Sequence, residues 1–243
     1  EAPNGPYDTI EVFNTRDYTI NYTDNPGDPS KEVWYYHLAS VNNCGALTTR
    51  SDTLSNLLLH IDKEYLTNKL TWNELHQLLP SNIEFRIYRQ IGNQDRTFLH
   101  QSDESPYYDN QVENYEGQGI SAKFCYQVEA EIIHQKDYRS TVISNLNCVF
   151  VKPRVFLPNA IIPDDPENST FEPVFTYLPE NYLLIIYNRQ GIKIWEKKNR
   201  GWPGKIQNSG KKVPAGTYIY YLEYKNPGQK TIRKKGTVTV VSS

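Results

Sequence analysis

Short runs of aromatic and β-branched residues, each closed by Gly, Pro, Asn or Asp, recur along this chain and restrict it to sheet. Residues 182–198, YLLIIYNRQGIKIWEKK, state the pattern most plainly. A nearly continuous apolar run ends in Asn188-Arg189-Gln190-Gly191, where glycine supplies the positive φ that a tight hairpin requires. Ile192–Lys197 then returns with alternating polarity, the period-two signature of a paired strand. Gly216 allows the next run, TYIYYLEY, to start at close approach, with Tyr218, Tyr220, Tyr221 and Tyr224 lining both faces. Trp202 is expected to plug one end of a small sandwich of about seven strands. The 19 Tyr and 8 Phe among 243 residues fit half-buried pleated surfaces better than helices. Helical spacing is confined to KEYLTNKLTWNELHQLL, residues 63–79, and there Thr71-Trp72 also fits the start of a strand.

A length of 243 residues suits one large domain or two to three small ones. With 38% hydrophobic and 22% charged residues the composition is globular, not disordered. No apolar run approaches the roughly 20 residues that cross a bilayer as a helix. The sequence begins Glu-Ala-Pro and holds no Met, which reads as a processed or truncated piece of a longer protein. Its net charge of −2 conceals a division. Residues 1–152 carry 12 Lys and Arg against 21 Asp and Glu, a balance of −9, and residues 153–243 carry 14 against 7, a balance of +7. Such asymmetry marks either an anionic partner or two domains with different solvated faces. No nucleic-acid-binding motif accompanies the basic half, so nucleic acid is not an expected partner.

A degenerate repeat with a period near 90 residues runs through the first 150. YTDNP at 22–26 is echoed by YYDNQ at 107–111, WYYHLAS at 34–40 by FCYQVEA at 124–130, and TLSN at 53–56 by VISN at 142–145. The second copy, from KLTWNEL through IEFRIYRQI to RSTVISNLNCVFV, resembles a fibronectin type III domain. That resemblance implies a core role for Trp72 with Tyr126 supporting it. It also makes the strands of Cys125 and Cys148 neighbours, which brings a disulfide within reach; two buried free thiols are the other reading. Cys44 is left over, its partner expected in a missing part of the first copy. The expected divisions are a partial module at 1–62, a complete one at 63–152 and a last domain at 153–243. The fold class is all-β, tandem immunoglobulin- or fibronectin-like β-sandwiches ending in a smaller one.

From Val155 onward several motifs follow one another in order. They are Pro158-Asn159-Ala160, Phe171-Glu172-Pro173, IIYNRQG at 185–191, GWPG at 201–204, VPAGTYIYYLEY at 213–224 and KGTVTVV at 235–241. Together they resemble the C-terminal sorting domain of the type IX secretion system, in its gliding-motility-associated (type B) form. On that resemblance Pro158, Asn159, Asn188, Arg189, Gly191, Trp202, Gly204, Gly216 and Tyr218 are the structural motif residues. The resemblance further implies export across the outer membrane to the surface or beyond. The expected partners are the outer-membrane translocon and an associated β-barrel shuttle or anchor. Gly236, Thr237, Val238, Thr239, Val240 and Val241 would be read as an exposed terminal strand, helped by Arg233, Lys234 and Lys235; alternatively that strand only completes the core. Exported proteins of this kind also carry O-glycans at Asp-Thr followed by an apolar residue, which makes Thr9 and Thr53 candidates, with unmodified threonines as the alternative.

Two departures from the family pattern concern metal. The acidic loop reads PDDPENST at 163–170, without the family's glycines, and Trp-Asp-Gly is here Trp202-Pro203-Gly204. A Pro-rich loop is a poor flexible cage for calcium at Asp164, Asp165 and Glu167, so no metal or cofactor is expected, and TDNPGD at 23–28 is equally weak. The histidines at 37, 60, 76, 100 and 134 lack metal-ligand spacing, and no nucleophile elbow, P-loop or dinucleotide fingerprint is present. The chain is therefore read as non-enzymatic. A second reading makes it a carbohydrate-binding or adhesive module that stacks exposed tyrosines and Trp195 on sugar rings.

Overall fold

From Tyr35 to Val240 the described residues are mostly strand, because the alternating segments leave almost no stretch long enough for a helix. The computed structural model describes residues 5–14, 19–25, 28–64, 67–75, 82–133, 139–225 and 230–242. Two compact units emerge, residues 1–90, 95–110 and 125–148 forming one, and residues 91–94, 111–124 and 149–243 the other.

The first unit opens with short pairs. β1 (Tyr35–Tyr36) pairs with β4 (Leu54–Ser55), and between them β2 (Ala39–Val41) pairs with β3 (Leu47–Arg50). Next come β5 (Leu59–Glu64), β6 (Thr67–Trp72), β7 (Asn82–Ile91), β8 (Thr97–Ser102), β9 (Tyr107–Asp109), β10 (Lys123–Ile133), β11 (Arg139–Ile143) and β12 (Asn147–Phe150). They form a three-stranded sheet in the order β5-β6-β9 and a five-stranded one in the order β11-β10-β7-β8, with β12 also on β10. Alternate residues turn inward: Leu59 and Ile61, Leu70 and Trp72, Phe85 and Ile87, Tyr126, Val128 and Ala130 are all buried. Trp72 meets Phe85 with ring centroids 5.2 Å apart.

The inward row of β7 continues past Ile87 to Arg89, so the pleat carries a guanidinium into this core. Asp109, fully buried, answers it: Arg89 Nη1 donates to Asp109 Oδ2 at 2.8 Å. The Tyr126 hydroxyl donates to the same oxygen at 2.7 Å and accepts from Asn68 Nδ2 at 2.8 Å. Cys125 and Cys148, on β10 and β12, are joined as a disulfide with Cα atoms 4.0 Å apart. It closes a loop of sequence separation 23. Reduction is expected to remove about 3 kcal/mol from this unit by restoring entropy to the unfolded chain. Peptide mapping without reductant checks the link, and a melting temperature unmoved by reduction would contradict the contribution.

The second unit holds β13 (Val155–Phe156), β14 (Ala160–Ile161), β15 (Val174–Phe175), β16 (Asn181–Tyr187), β17 (Lys193–Lys198), β18 (Gly216–Lys225) and β19 (Ile232–Val240). Five of these make one sheet in the order β14-β19-β18-β16-β17, with β14 parallel to β19, while β13 and β15 form a separate pair. Tyr182, Leu184 and Ile186 on β16, Tyr218, Leu222 and Tyr224 on β18, and Val238 and Val240 on β19 give the sheet its apolar inner face. Phe171, Phe175, Trp202 and Val213 complete that core. Residues 111–124 belong here because the Tyr177 hydroxyl donates to the Val112 carbonyl at 2.6 Å, and Leu178 N donates to the Ile120 carbonyl at 2.7 Å.

The division expected at 152/153 falls between β12 and β13, whereas the one expected at 62/63 meets a strand. Leu59–Glu64 is one strand of a hairpin with Thr67–Trp72, so a cut at 62 would fall inside a bonded strand pair. Of the segment with helical spacing, Thr67–Trp72 is strand, and residues 76–81 lie outside the described ones.

Burial of tyrosine gives the second unit an alkaline limit. Desolvation, reinforced by the Glu116 and Glu113 charges, pushes the Tyr177 hydroxyl up to about 12, and desolvation raises Tyr182 as well, with Glu172 adding to it. Unfolded tyrosines ionise near 10. Above that pH the unfolded chain sheds protons the folded unit retains, so the stability held in full below pH 10 falls as pH climbs toward 12. Tyrosinate absorbance should rise together with loss of the circular-dichroism signal; full titration with the fold intact would contradict this.

Candidate functional site

Residues far apart in the sequence meet around one indole. Trp202 is fully buried, donates from Nε1 to the Lys205 carbonyl at 2.9 Å, and lies 5.2 Å from the Tyr218 ring. Its backbone exchanges both hydrogen bonds with Phe171, at 2.8 and 2.9 Å. Gly204 adopts φ +69°, and a Cβ there would stand 2.8 Å from Pro163 Cγ, so both conformation and space demand glycine. The Tyr218 hydroxyl donates to the Pro214 carbonyl at 2.8 Å, fixing the approach to β18.

The Asn188-Arg189-Gln190-Gly191 turn is closed from within. Asn188 Oδ1 accepts from the amides of Gln190 and Ile192 at 3.0 and 2.9 Å, while Gly191, at φ +78°, donates to the Asn188 carbonyl. The Arg189 guanidinium reaches back over Gly216, where a Cβ would meet Nη2 at 3.0 Å. That contact links the IIYNRQG and VPAGTYIYYLEY motifs, and neither residue alone signals it in the sequence.

The last strand is both core and edge. Val238 and Val240 are buried, whereas Thr237, Thr239 and Val241 are exposed and Gly236 lies beneath the Tyr220 ring. β14 runs beside its end: Thr239 N donates to the Asn159 carbonyl at 3.0 Å, and Val241 N to the Ile161 carbonyl at 2.9 Å. The expectation that residues 236–241 present an unpaired backbone edge is thus corrected. Asn159–Ile161 occupies that edge from Thr239 onward, and among the described residues no strand pairs with the stretch before it, at residues 232–237. Pro158, half-buried, leads into β14.

Carboxylates of the acidic loop are held by protein donors. Asp165 Oδ1 accepts from the amides of Glu167 and Asn168 at 2.9 and 2.7 Å, which holds its carboxyl below the usual range. Asp164 pairs with the Lys212 ammonium, which lowers it likewise. Among the described residues no three His, Cys, Asp or Glu side chains gather as metal ligands would. His37 packs on Tyr7, His60 faces Asp62 and His100 stacks on Tyr107; His76 and His134 lie outside the described residues. Thr9 is exposed, Thr53 half-buried and Cys44 exposed as a thiol. The stacking role suggested for Trp195 is corrected, because the indole is 7% exposed and turned into the core opposite Ile186. A buried ring presents no face to a sugar.

No helix of the described residues is long and apolar enough to cross a membrane. No curated protein sequence matches the chain. Among solved structures, the tetra-tandem repeat in the extending region of a large adhesion protein aligns at 10% identity with a TM-score of 0.44, over 86% of this chain and 56% of that one. The dimeric latent PorU from Porphyromonas gingivalis aligns at 13% identity with a TM-score of 0.28, over 76% of this chain and 20% of that one. The chain therefore spans about half of the first and a fifth of the second. Residues 155–240, which hold the Trp202 constellation and both faces of the last sheet, match the CHU_C Type IX secretion signal domain.

Proposed function

We propose that residues 155–240 act as the address by which a longer exported protein is recognised by the type IX secretion machinery of the outer membrane and its partner barrels. The observation that carries this reading is the family match over a segment in which the motif residues Phe171 and Tyr218 meet Trp202. The β-sandwich that precedes it serves as a spacer, and no chemistry is assigned to either unit. Delivery is then to the cell surface or the medium.

A reporter carrying an inner-membrane export signal and fused ahead of the whole chain, residues 1–243, tests this in a bacterium with the secretion system. The reporter should appear outside the cell, and should stay in the periplasm when the translocon is deleted. Retention in the periplasm with the translocon intact would overturn the reading. Cutting the chain after Lys235 is not a clean control, since it removes Val238 and Val240 from the core. Point substitutions that keep the fold are required.

A further inference from the structure

The sheet of the second unit has two long edges, and the fold treats them differently. On β17, Gln207 covers the rim: its amide donates to the Ile194 carbonyl at 3.0 Å, and its Oε1 accepts from Glu196 N at 2.7 Å. On β19, the Asn159–Ile161 stretch covers only Thr239–Val241. Among the described residues no strand lies on the remainder of that rim. The pleat fixes which groups it offers. Thr239 N–H points away from β18, so by the two-residue period the amides and carbonyls of Thr237, Lys235 and Arg233 point the same way.

Charge sits on the same stretch. Arg233, Lys234, Lys235 and Thr237 are all exposed. Register places Arg233, Lys235 and Thr237 opposite Glu223, Tyr221 and Ile219 of β18. Arg233 Nε is bonded to Glu223 at 3.0 Å, while Lys234 and Lys235 have no ion pair among the described residues. A second copy of this strand would set ammonium against ammonium and is disfavoured. An acidic strand meets the same groups with attraction, which makes the lysines a selector as well as a guard.

We propose that residues 232–237 are a strand-addition site for an extended acidic segment of a partner protein. The segment bonds through the backbone of Arg233, Lys235 and Thr237 and sets carboxylates against Arg233 and Lys235. The proposal rests on the reading of this domain as a secretion address, and it places the reading partner on the uncovered half of the last strand. Val238–Val241 then serves to hold that half in place.

Two measurements on the full chain separate the claims. The first titrates it with a fluorescein-labelled alternating Glu–Thr peptide of about eight residues, the length of an ordinary strand. The controls are the Lys–Thr counterpart and a Glu–Thr peptide N-methylated at alternate residues. Binding of the acidic peptide should weaken on going to roughly 0.5 M salt. It should also fall at least about tenfold with N-methylation, which removes donors along the peptide, and with Lys235→Glu or Lys235→Pro, which remove charge or backbone pairing at one point. Proline there removes only an outward donor, and unchanged thermal melts show that each variant remains folded. Equal binding of the methylated peptide, or none by the acidic one, would overturn the proposal. The second measurement is export of the reporter fusion. Wild-type export with Lys235→Glu retained in the periplasm supports the site, whereas export of folded Lys235→Glu at wild-type efficiency overturns it and leaves the secretion reading standing. If the wild-type fusion is itself retained, the secretion reading falls and the peptide titration alone decides the strand-addition site.

Discussion

Replacing Trp202 by alanine is expected to destabilise the second unit by about 3–5 kcal/mol, the usual range for emptying a fully buried large aromatic site. The site has little room to collapse. Phe171 and Trp202 hold each other by two backbone hydrogen bonds, and Tyr218 on β18 packs against the indole. Glycines on either side bring the backbone so close that a Cβ at Gly201 would stand 2.6 Å from Thr170 Cγ2, and one at Gly204 2.8 Å from Pro163 Cγ. Walls pinned in this way relax poorly around a void, so the cavity cost adds to the lost transfer energy. Trp202→Phe retains most of the apolar volume and gives up the Nε1 bond to the Lys205 carbonyl, leaving that acceptor short of a partner. Its cost should be smaller, about 1–3 kcal/mol. Denaturant unfolding of the full chain, followed through the transition of each unit separately, measures both. A loss below about 1 kcal/mol for alanine would mean that the indole fills space without organising the motif residues around it. On the secretion reading the alanine variant also stays in the periplasm, because the strand-addition edge depends on the same sheet.

Much of this unit was legible in the sequence because period two and turn chemistry are local. The Asn188–Gly191 hairpin, the strands on either side of it and the run from Gly216 all follow from residues within a few positions of one another. What escaped depends on partners distant in sequence. Trp195 shows the limit clearly. Ile192-Lys193-Ile194-Trp195 alternates until two apolar residues adjoin, and the structure places a register shift there, pairing Ile186 with Trp195 but Tyr187 with Lys193. One extra residue reverses the faces, which sends Trp195 inward where simple alternation left it open to solvent. Edges are harder still. Nothing in KGTVTVV tells that Asn159–Ile161 covers its second half and leaves the first uncovered, nor that Gln207 guards the opposite rim. The acidic loop departs in sequence from the family pattern it resembles, and only the structure shows that Asp164 there is paired with the Lys212 ammonium.

The first unit yields the other large effect. Asp109→Ala should cost about 3–5 kcal/mol, since it removes the carboxylate that faces the buried Arg89 guanidinium. The pleat of β7 compels this arrangement: Phe85, Ile87 and Arg89 share one face, and Arg89 is only 6% exposed. Asp109 Oδ2 also accepts the Tyr126 hydroxyl, which is itself tied to Asn68, so the deletion disturbs three residues beyond itself. Tyr126→Phe removes one neutral donor from a charge that keeps its arginine, and about 1–2 kcal/mol is expected. The discriminating variant is the double change Arg89→Met with Asp109→Leu. If the network acts by the cost of breaking it, this apolar pair should recover most of the loss, because removing both charges together strands neither. Unfolding of the first unit in denaturant gives the cycle, and a coupling energy under about 0.5 kcal/mol would show the two charges to be independent. Should the double variant be no better than Asp109→Ala, the pair holds β7 against β9 by a geometry that apolar side chains cannot reproduce.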